Sequence, residues 1–404
     1  MLERTHLRRW LTVLILTLPL TFSCARAPLK SADEVFRKVP APILSDDLPL
    51  NPLLDAISSQ VDFLRNSPNS SEFVFDGARF TRQEYLDSLA RLVALGRATQ
   101  DTQAFFKIIE SEFDFYEVYG RDEWGEVFIT SYYEPLIPGS LKPTARFSQP
   151  LYRKPDDLIS LDLGAFDSRF AEHRKLRGRI RDNALVPYFS RQEIDTRQSL
   201  RGRKLEICWV DPVDSFFLQV QGSGTIDLGN GRTLRVNYAE KNGHSYQSLS
   251  QFLKGKIPSK DMNLHTIEAF LRSLPRKDMQ HYLNLNPSYV FFRESEESAL
   301  TAMGVPATNG RTIATDPRYF PKGALAFLIF EKPVFSEASR LIPTAYEPSA
   351  RFVLDQDIGG AILGPGRLDL FWGRGAEAKL HAGAMKNPGR LYYLAPKKSQ
   401  SASP

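Results

Sequence analysis

Cysteine is nearly missing from this chain: Cys24 and Cys208 are the only two in 404 residues. A disulfide framework is therefore excluded as a source of stability. Histidine occurs at only six scattered positions, so no His/Cys group has metal-ligand spacing, and neither a metal nor a cofactor is expected. Cys208, within the apolar run LEICWV, reads as a small buried residue. There is no G-x-S-x-G elbow, and no Lys-Ser/Thr pair follows the glycines of QGSG, which sets aside an elbow-type hydrolase and a P-loop. No repeat of fixed period appears. Charge of one sign is also scarce: 52 basic residues nearly cancel 47 acidic ones, leaving +5. Without a basic run interleaved with aromatics, nucleic acid is not an expected partner. Long hydrophobic runs are absent too. The apolar stretch Trp10 to Phe22 is broken by Pro19 and is too short to span a bilayer comfortably.

That stretch follows Arg4, Arg8 and Arg9 and ends in LTFSC, the layout of an export signal over residues 1–24. The ending resembles a bacterial lipoprotein signal, with Cys24 as the lipidated first residue. Cleavage after Ala27 is the alternative and would release a soluble periplasmic protein, although Pro28 would then follow the cut unfavourably.

At 42% hydrophobic, the mature chain can bury more than one core. Residues 25–45 are polar and proline-containing and read as a linker. Three amphipathic helices follow, in NPLLDAISSQVDFLRNS, FTRQEYLDSLARLVALGRA and TQAFFKIIESEF. The second opens with the capping-box pair Thr81 and Glu84. From EVFITSYYEPLIPGS onward, short strands and turns dominate. LEICWV, SFFLQVQGSG and the two halves of TIDLGNGRTLRV read as strands, the last pair joined at Asn230-Gly231. SYQSLSQFLKG and NLHTIEAFLRSLP read as helices; RTIAT, ALAFLIF, RFVLDQD, LDLFWG and RLYYLAP read as strands.

Chemistry concentrates in DQDIGGAILGPGRLDLFWG, which brings Asp357 and Asp369 together with glycines and Trp372. A carboxyl beside another carboxyl, or in an apolar wall, holds its proton to higher pH and can donate it; glycines admit a ligand, and a Trp face stacks on a sugar. The same string also reads as plain turns with Trp372 in the core. TSYYEPLIPGS presents Tyr132, Tyr133 and Glu134 at a strand end, either as a groove lining or as a strand edge. QVQGSG places Gln219 and Gln221 on one strand face ahead of Ser223. Amides of this kind suit hydroxyl and N-acetyl groups, though a bulged polar strand would look the same. His244 reads as structural, and Asp316 in TDPRYFPKGA as a strand terminator.

Taken in order over roughly residues 125–395, these strings resemble the membrane-bound lytic murein transglycosylase A family. The matching pieces are SYYEPLIPGS, QVQGSGTIDLGNGRTLRVNYAEKNGHSYQS, NPSYVFFRE, GVPATNGRTIATDPRYFPKGA and DQDIGGAILGPGRLDLFWGRGAEA through GRLYYL. The resemblance implies a mainly β fold with some α: a double-psi β-barrel carrying an inserted β-rich domain, with a glycan groove between them. On that pattern the N-terminal helical segment covers 46–130, the insert 131–285 and the C-terminal barrel segment 286–396, with a disordered tail at 397–404. It also implies catalysis by Asp369 and support from Asp357 and Asp316. Tyr132, Tyr133, Glu134, Gln219, Gln221, Ser223 and Trp372 would bind substrate. The implied reaction cleaves the β-1,4 bond between N-acetylmuramic acid and N-acetylglucosamine, leaving 1,6-anhydromuramoyl ends. Peptidoglycan strands would be the partner, and the periplasmic face of the outer membrane the location. The rival readings are a non-catalytic peptidoglycan-binding lipoprotein and a β-1,4-glucan hydrolase on a related barrel.

Overall fold

A computed structural model describes residues 34–398 apart from 68–71, 100, 121–122, 171–174, 297–298 and 338. The export signal, Cys24 and residues 399–404 of the expected 397–404 tail lie outside the described residues; at its start Lys397 is tied to the body, its N donating to the Glu112 carbonyl (2.8 Å) and its Nζ to the Glu110 carbonyl (2.7 Å). Part of the expected linker does not behave as one. Phe36–Val39 forms a strand paired antiparallel with Phe113–Val118, and Val35 and Phe36 are buried. Their apolar side chains had been hidden in a polar-looking stretch. Just beyond, Asp46 and Asp47 are held by the buried guanidinium groups of Arg311 and Arg351, at 2.5 Å each.

Six strands close into a barrel: Glu126–Glu134, Thr312–Ala314, Leu325–Val334, Ala345–Asp357, Arg367–Arg374 and Lys386–Pro396. Closure comes from the last strand, which pairs with Leu325–Val334 on one side and Glu126–Glu134 on the other. Two junctions are parallel, Thr312–Ala314 with Ala345–Asp357 and Arg367–Arg374 with Glu126–Glu134; the other junctions are antiparallel. A closed sheet has no free edge and holds its cross-strand register rigidly.

Two of the N-terminal helices, Leu50–Arg65 and Arg82–Ala98, pack their apolar stripes into the same core. Thr81 and Glu84 complete the expected capping box. Tyr85 joins that helix to the barrel. Its ring stacks on Phe73 with centroids 4.0 Å apart, and its hydroxyl donates to the Leu394 carbonyl (2.8 Å) while accepting from Leu325 N (3.0 Å).

Between the first and second barrel strands the chain builds a separate six-stranded sheet. Its order is Val290–Ser295, Thr233–Lys241, Ser223–Asp227, Leu136–Ser140, Glu206–Val210 and Gln149–Tyr152, with its own apolar cluster. The sheet reaches Ser295, past the expected boundary at 285, because Val290–Ser295 pairs with Thr233–Lys241. Two helix and strand expectations fail here. SFFLQVQ is not a strand but the helix Pro212–Gln221: Asp211 caps it by accepting from Val213 N and Asp214 N, and Gly222 ends it at φ 86°. Asp-Pro ahead of the segment and Gly behind it were the signals that favoured a helix. SYQSLSQFLKG forms only a 3-10 turn, Leu249–Gln251.

Replacing Tyr85 by Phe keeps the ring but orphans a buried N–H and C=O. Denaturant unfolding of Tyr85→Phe should show a loss of about 1–3 kcal/mol; a loss near zero would mean that water reaches both groups.

Candidate active site

The three-residue strand Thr312–Ala314 sits between the two strands that carry the predicted acids. Ala314 is register-matched to Asp357 on one side and to Asp369 on the other. The register shifts between Ile313 and Ala314 on the Asp357 side, and the Asp369 pairing is regular; both acids thus flank a residue that offers only a methyl group. Asp369 is matched on its far side by Thr130, and Tyr132 lies two residues on along that strand, on the same face.

The two acids have different surroundings. Asp357 is fully engaged: Oδ2 accepts from the Tyr132 hydroxyl (2.7 Å), and Oδ1 accepts from Ala302 N (2.8 Å) and Ile358 N (2.9 Å). For Asp369, Thr130 Oγ1 is the one hydrogen-bond donor among the described residues, and it reaches Oδ1; Arg367 in turn donates to Thr130 Oγ1 at 3.1 Å. No donor among the described residues reaches Oδ2 of Asp369. Burial raises the pKa of both carboxyls above the usual range. For Asp357, burial is opposed by Tyr132, the two backbone N–H groups and the Lys322 cation. For Asp369, Thr130 and Arg367 oppose burial, and the charge of Asp357 reinforces it. Asp357 has more donors than Asp369, and each of them favours its charged form.

A buried network lies behind the acids. Lys322 Nζ donates to Asp355 Oδ1 (2.7 Å), Thr315 Oγ1 (2.6 Å) and the carbonyls of Thr315 and Asp357 (3.0 Å each). Asp355 Oδ2 accepts from Thr315 and Tyr393, both at 2.6 Å.

Other predicted residues land elsewhere. Asp316 is buried, paired with Arg318 (2.6 Å) and accepting from Gly364 N (2.8 Å). Its burial is outweighed by these bonds, so its pKa falls, and it pins the 358–366 loop rather than donating a proton. Gln219 does not face a groove: with the segment helical, its Oε1 accepts from buried Arg191 (2.8 Å) and Val290 N (3.2 Å). Tyr133 is buried against Ala378 and Ala382. Glu134 is buried and paired with Arg374 at 2.7 Å. Trp372 stacks on His381 with centroids 4.9 Å apart and takes the Arg351 cation on its ring, so it belongs to the packing under the site. Gln221 Oε1 accepts from Tyr133 N (2.9 Å), and Ser223 is partly exposed at the start of its strand. Tyr132 alone of the aromatic set touches the acids.

The facing wall belongs to the second sheet. A Cβ at Gly360 would stand 3.8 Å, an ordinary contact distance, from Lys241 Nζ, which puts the 358–366 loop next to the end of Thr233–Lys241. The next loop is fastened by buried Asn242, which donates to the Phe189 and Pro287 carbonyls (2.9 Å each), and by His244 Nε2 against the Tyr188 carbonyl (2.7 Å). It presents Tyr246, 40% exposed, whose hydroxyl proton is held by burial and, across the gap, by the Asp369 charge. Thr130, Arg367, Lys322 and Tyr246 carry no motif, and local sequence had not singled them out. Among the described residues no group of three His, Cys, Asp or Glu side chains is placed to hold a metal, and no helix is long and apolar enough to cross a membrane.

Comparison with known proteins agrees with this arrangement. Residues 128–293 match the MltA specific insert domain and residues 311–395 match the 3D domain. The membrane-bound lytic murein transglycosylase A of Escherichia coli K12 is 30% identical over 285 residues, which is 70% of this chain and 69% of that protein. The Vibrio cholerae protein of the same name is 28% identical over 293 residues, 70% of each chain. Among solved structures, a membrane-bound lytic murein transglycosylase from Agrobacterium tumefaciens superposes with a TM-score of 0.70 at 29% identity, covering 90% of this chain and 98% of that one. Escherichia coli MltA with bound chitohexaose superposes at 0.66 and 25% identity, covering 92% and 97%. By barrel, insert and sequence together, this chain belongs to the membrane-bound lytic murein transglycosylase A family.

Proposed function

We propose that Asp369 is the single general acid and base of this lytic transglycosylase. One observation carries the reading: of the paired acids, Asp369 alone keeps a carboxyl oxygen without a donor among the described residues. A hydrolytic glycosidase needs a second available carboxylate to attack the sugar or activate water. Here Asp357 is occupied at both oxygens, while Asp316 and Glu134 are bound to arginines. The remaining nucleophile is the substrate's own C6 hydroxyl, whose intramolecular attack has a high effective concentration.

The steps follow from proton balance. Neutral Asp369 gives its proton to the glycosidic oxygen between N-acetylmuramic acid and N-acetylglucosamine, and the C1–O bond breaks. The resulting carboxylate takes the proton from O6 as O6 bonds to C1, closing the 1,6-anhydro ring and restoring the acid. Ionised Asp357 makes Asp369 hold the first proton and accept the second. The substrate is the peptidoglycan glycan strand, a reading supported by the relative with bound chitohexaose. Tyr132 on the barrel side, and Gln221, Ser223, Lys241 and Tyr246 on the side of the inserted sheet, line its path. The relatives' description as membrane-bound, together with the N-terminal signal, supports attachment through Cys24 at the periplasmic face of the outer membrane. Residues of the 136–295 sheet act as the inserted domain.

Asp369→Asn, incubated with purified sacculi, should lose at least about 100-fold in release of soluble anhydro-muropeptides while still binding sacculi. Substantial turnover would sink the assignment. Products carrying an added water by mass would instead indicate the hydrolase, and no release by the native protein the binding lipoprotein. Asp357→Asn removes the charge that raises the Asp369 pKa. Asp369 then loses its proton at lower pH, so the alkaline flank of the pH–rate profile should move toward acid; an unmoved flank would leave Asp357 a structural role only.

A further inference from the structure

We infer that Lys322 is a positioning residue for the reaction, a buried cation that keeps Asp357 ionised while Asp369 stays protonated. The inference rests on the assignment of Asp369 as the acid. Its basis is geometric. The ammonium is 15% exposed and touches four oxygens that belong to the strand ends under the acids. Two are the main-chain carbonyls of Asp357 and Thr315, the residues at the ends of two adjoining strands. The others are the Asp355 carboxylate and the Thr315 hydroxyl. One cation thus fixes the backbone that aims Asp357 and sets a positive charge behind it.

A plain structural ion pair would need only Lys322 and Asp355. The contact with the Asp357 carbonyl gives the cation a second effect, on the acid itself. Burial pushes the Asp357 pKa up, and Lys322 is among the groups that pull it back. The other groups facing Asp357 are Tyr132 from the first barrel strand, Asp369 from the fifth, and the N–H groups of Ala302 and Ile358. Asp369 faces Thr130, Arg367, Asp357 and, across the gap, Tyr246. Lys322 faces Asp355, which also takes the Tyr393 hydroxyl. Among these, Arg367 acts on Asp369 through Thr130, on the opposite side from Lys322. Each acid therefore has its own cation, and the two cations tune the two flanks of the pH–rate profile separately.

The sign follows directly. Without the Lys322 charge, Asp357 takes up a proton at higher pH, so the acidic flank moves up while the alkaline flank, set by Asp369, stays. On the acidic flank the rate falls about tenfold for each pH unit moved. The experiment measures anhydro-muropeptide release from sacculi against pH for the native protein, Lys322→Met, Lys322→Arg, Asp355→Asn and Lys322→Met/Asp355→Asn, with Asp369→Asn in parallel. The expected result is an upward shift of the acidic flank in Lys322→Met and its restoration toward native in Lys322→Arg. The double variant leaves no unpaired buried charge but also removes the opposing Asp355 charge, so should the single variant fail to fold its flank is read against that of Asp355→Asn. An acidic flank of Lys322→Met that coincides with native, or of the double variant that coincides with Asp355→Asn, overturns the role of Lys322. If Asp369→Asn retains turnover, the acid assignment itself falls, an outcome distinct from an unmoved flank beside an inactive Asp369→Asn.

Discussion

The proposed mechanism asks one carboxyl to keep a proton beside another that gives its proton up, and the barrel gives the two acids unequal surroundings. Ala314 is the pivot. Being matched in register to both Asp357 and Asp369, it fixes how far apart the acids stand, and its methyl group leaves the space above it to them. Barrel closure prevents either neighbouring strand from slipping, because a one-residue slip would turn an acid to the opposite face. The asymmetry then comes from donors: four on or behind Asp357, and Thr130 with Arg367 on Asp369. On the proposed mechanism, two acids of one chemical type take two roles from these surroundings.

The second sheet contributes no acid to this pair, and its interior explains why it can serve as a stiff wall. Arg191 is buried between the rings of Phe216 and Tyr289, bonded to Gln219 and to the carbonyls of Asn286 and Ser288, and paired with Asp195. Burial lifts the Asp195 pKa to about 6 despite that pairing. Such a network is costly to disturb once every member is satisfied. The loop that carries Tyr246 is tied to the same residues through Gln247 N on Asn286 Oδ1 (3.0 Å). The wall facing Asp369 is therefore as fixed as the core beneath it.

What the sequence revealed was whatever is local. The capping box of Thr81 and Glu84, the apolar runs of the barrel strands and the glycine-rich string around Asp357 each depend on a few consecutive residues, and they could be read directly. What stays hidden depends on register between distant strands. Thr130 and Asp369 are 239 positions apart, and nothing in TSYY marks that threonine as the donor to an acid near the C-terminus. Lys322 sits in the turn-like string FPKGA, and only the closed barrel buries it. Gln219 differs: its local context is legible, since the Asp-Pro start and Gly stop mark a helix. Trp372 and Tyr133 show that large aromatics near an acid more readily fill the core than bind a sugar.

Stereochemistry shows why one available oxygen suffices. A β-1,4 leaving group departs from one face of C1, and O6, when it closes the anhydro ring, joins C1 on that same face. Donor and acceptor of the proton thus occupy the same region in turn, and a single carboxyl reaches both. Water attacking from the opposite face would require a second carboxylate about 6.5–9.5 Å away to activate it. The groups that could have served are committed elsewhere: Glu134 to Arg374, Asp316 to Arg318, Asp357 to its three donors. The same bonds that hold the barrel ends in place thereby remove the alternatives to intramolecular attack. On the proposed mechanism, structural satisfaction of the other acids is itself what favours intramolecular attack.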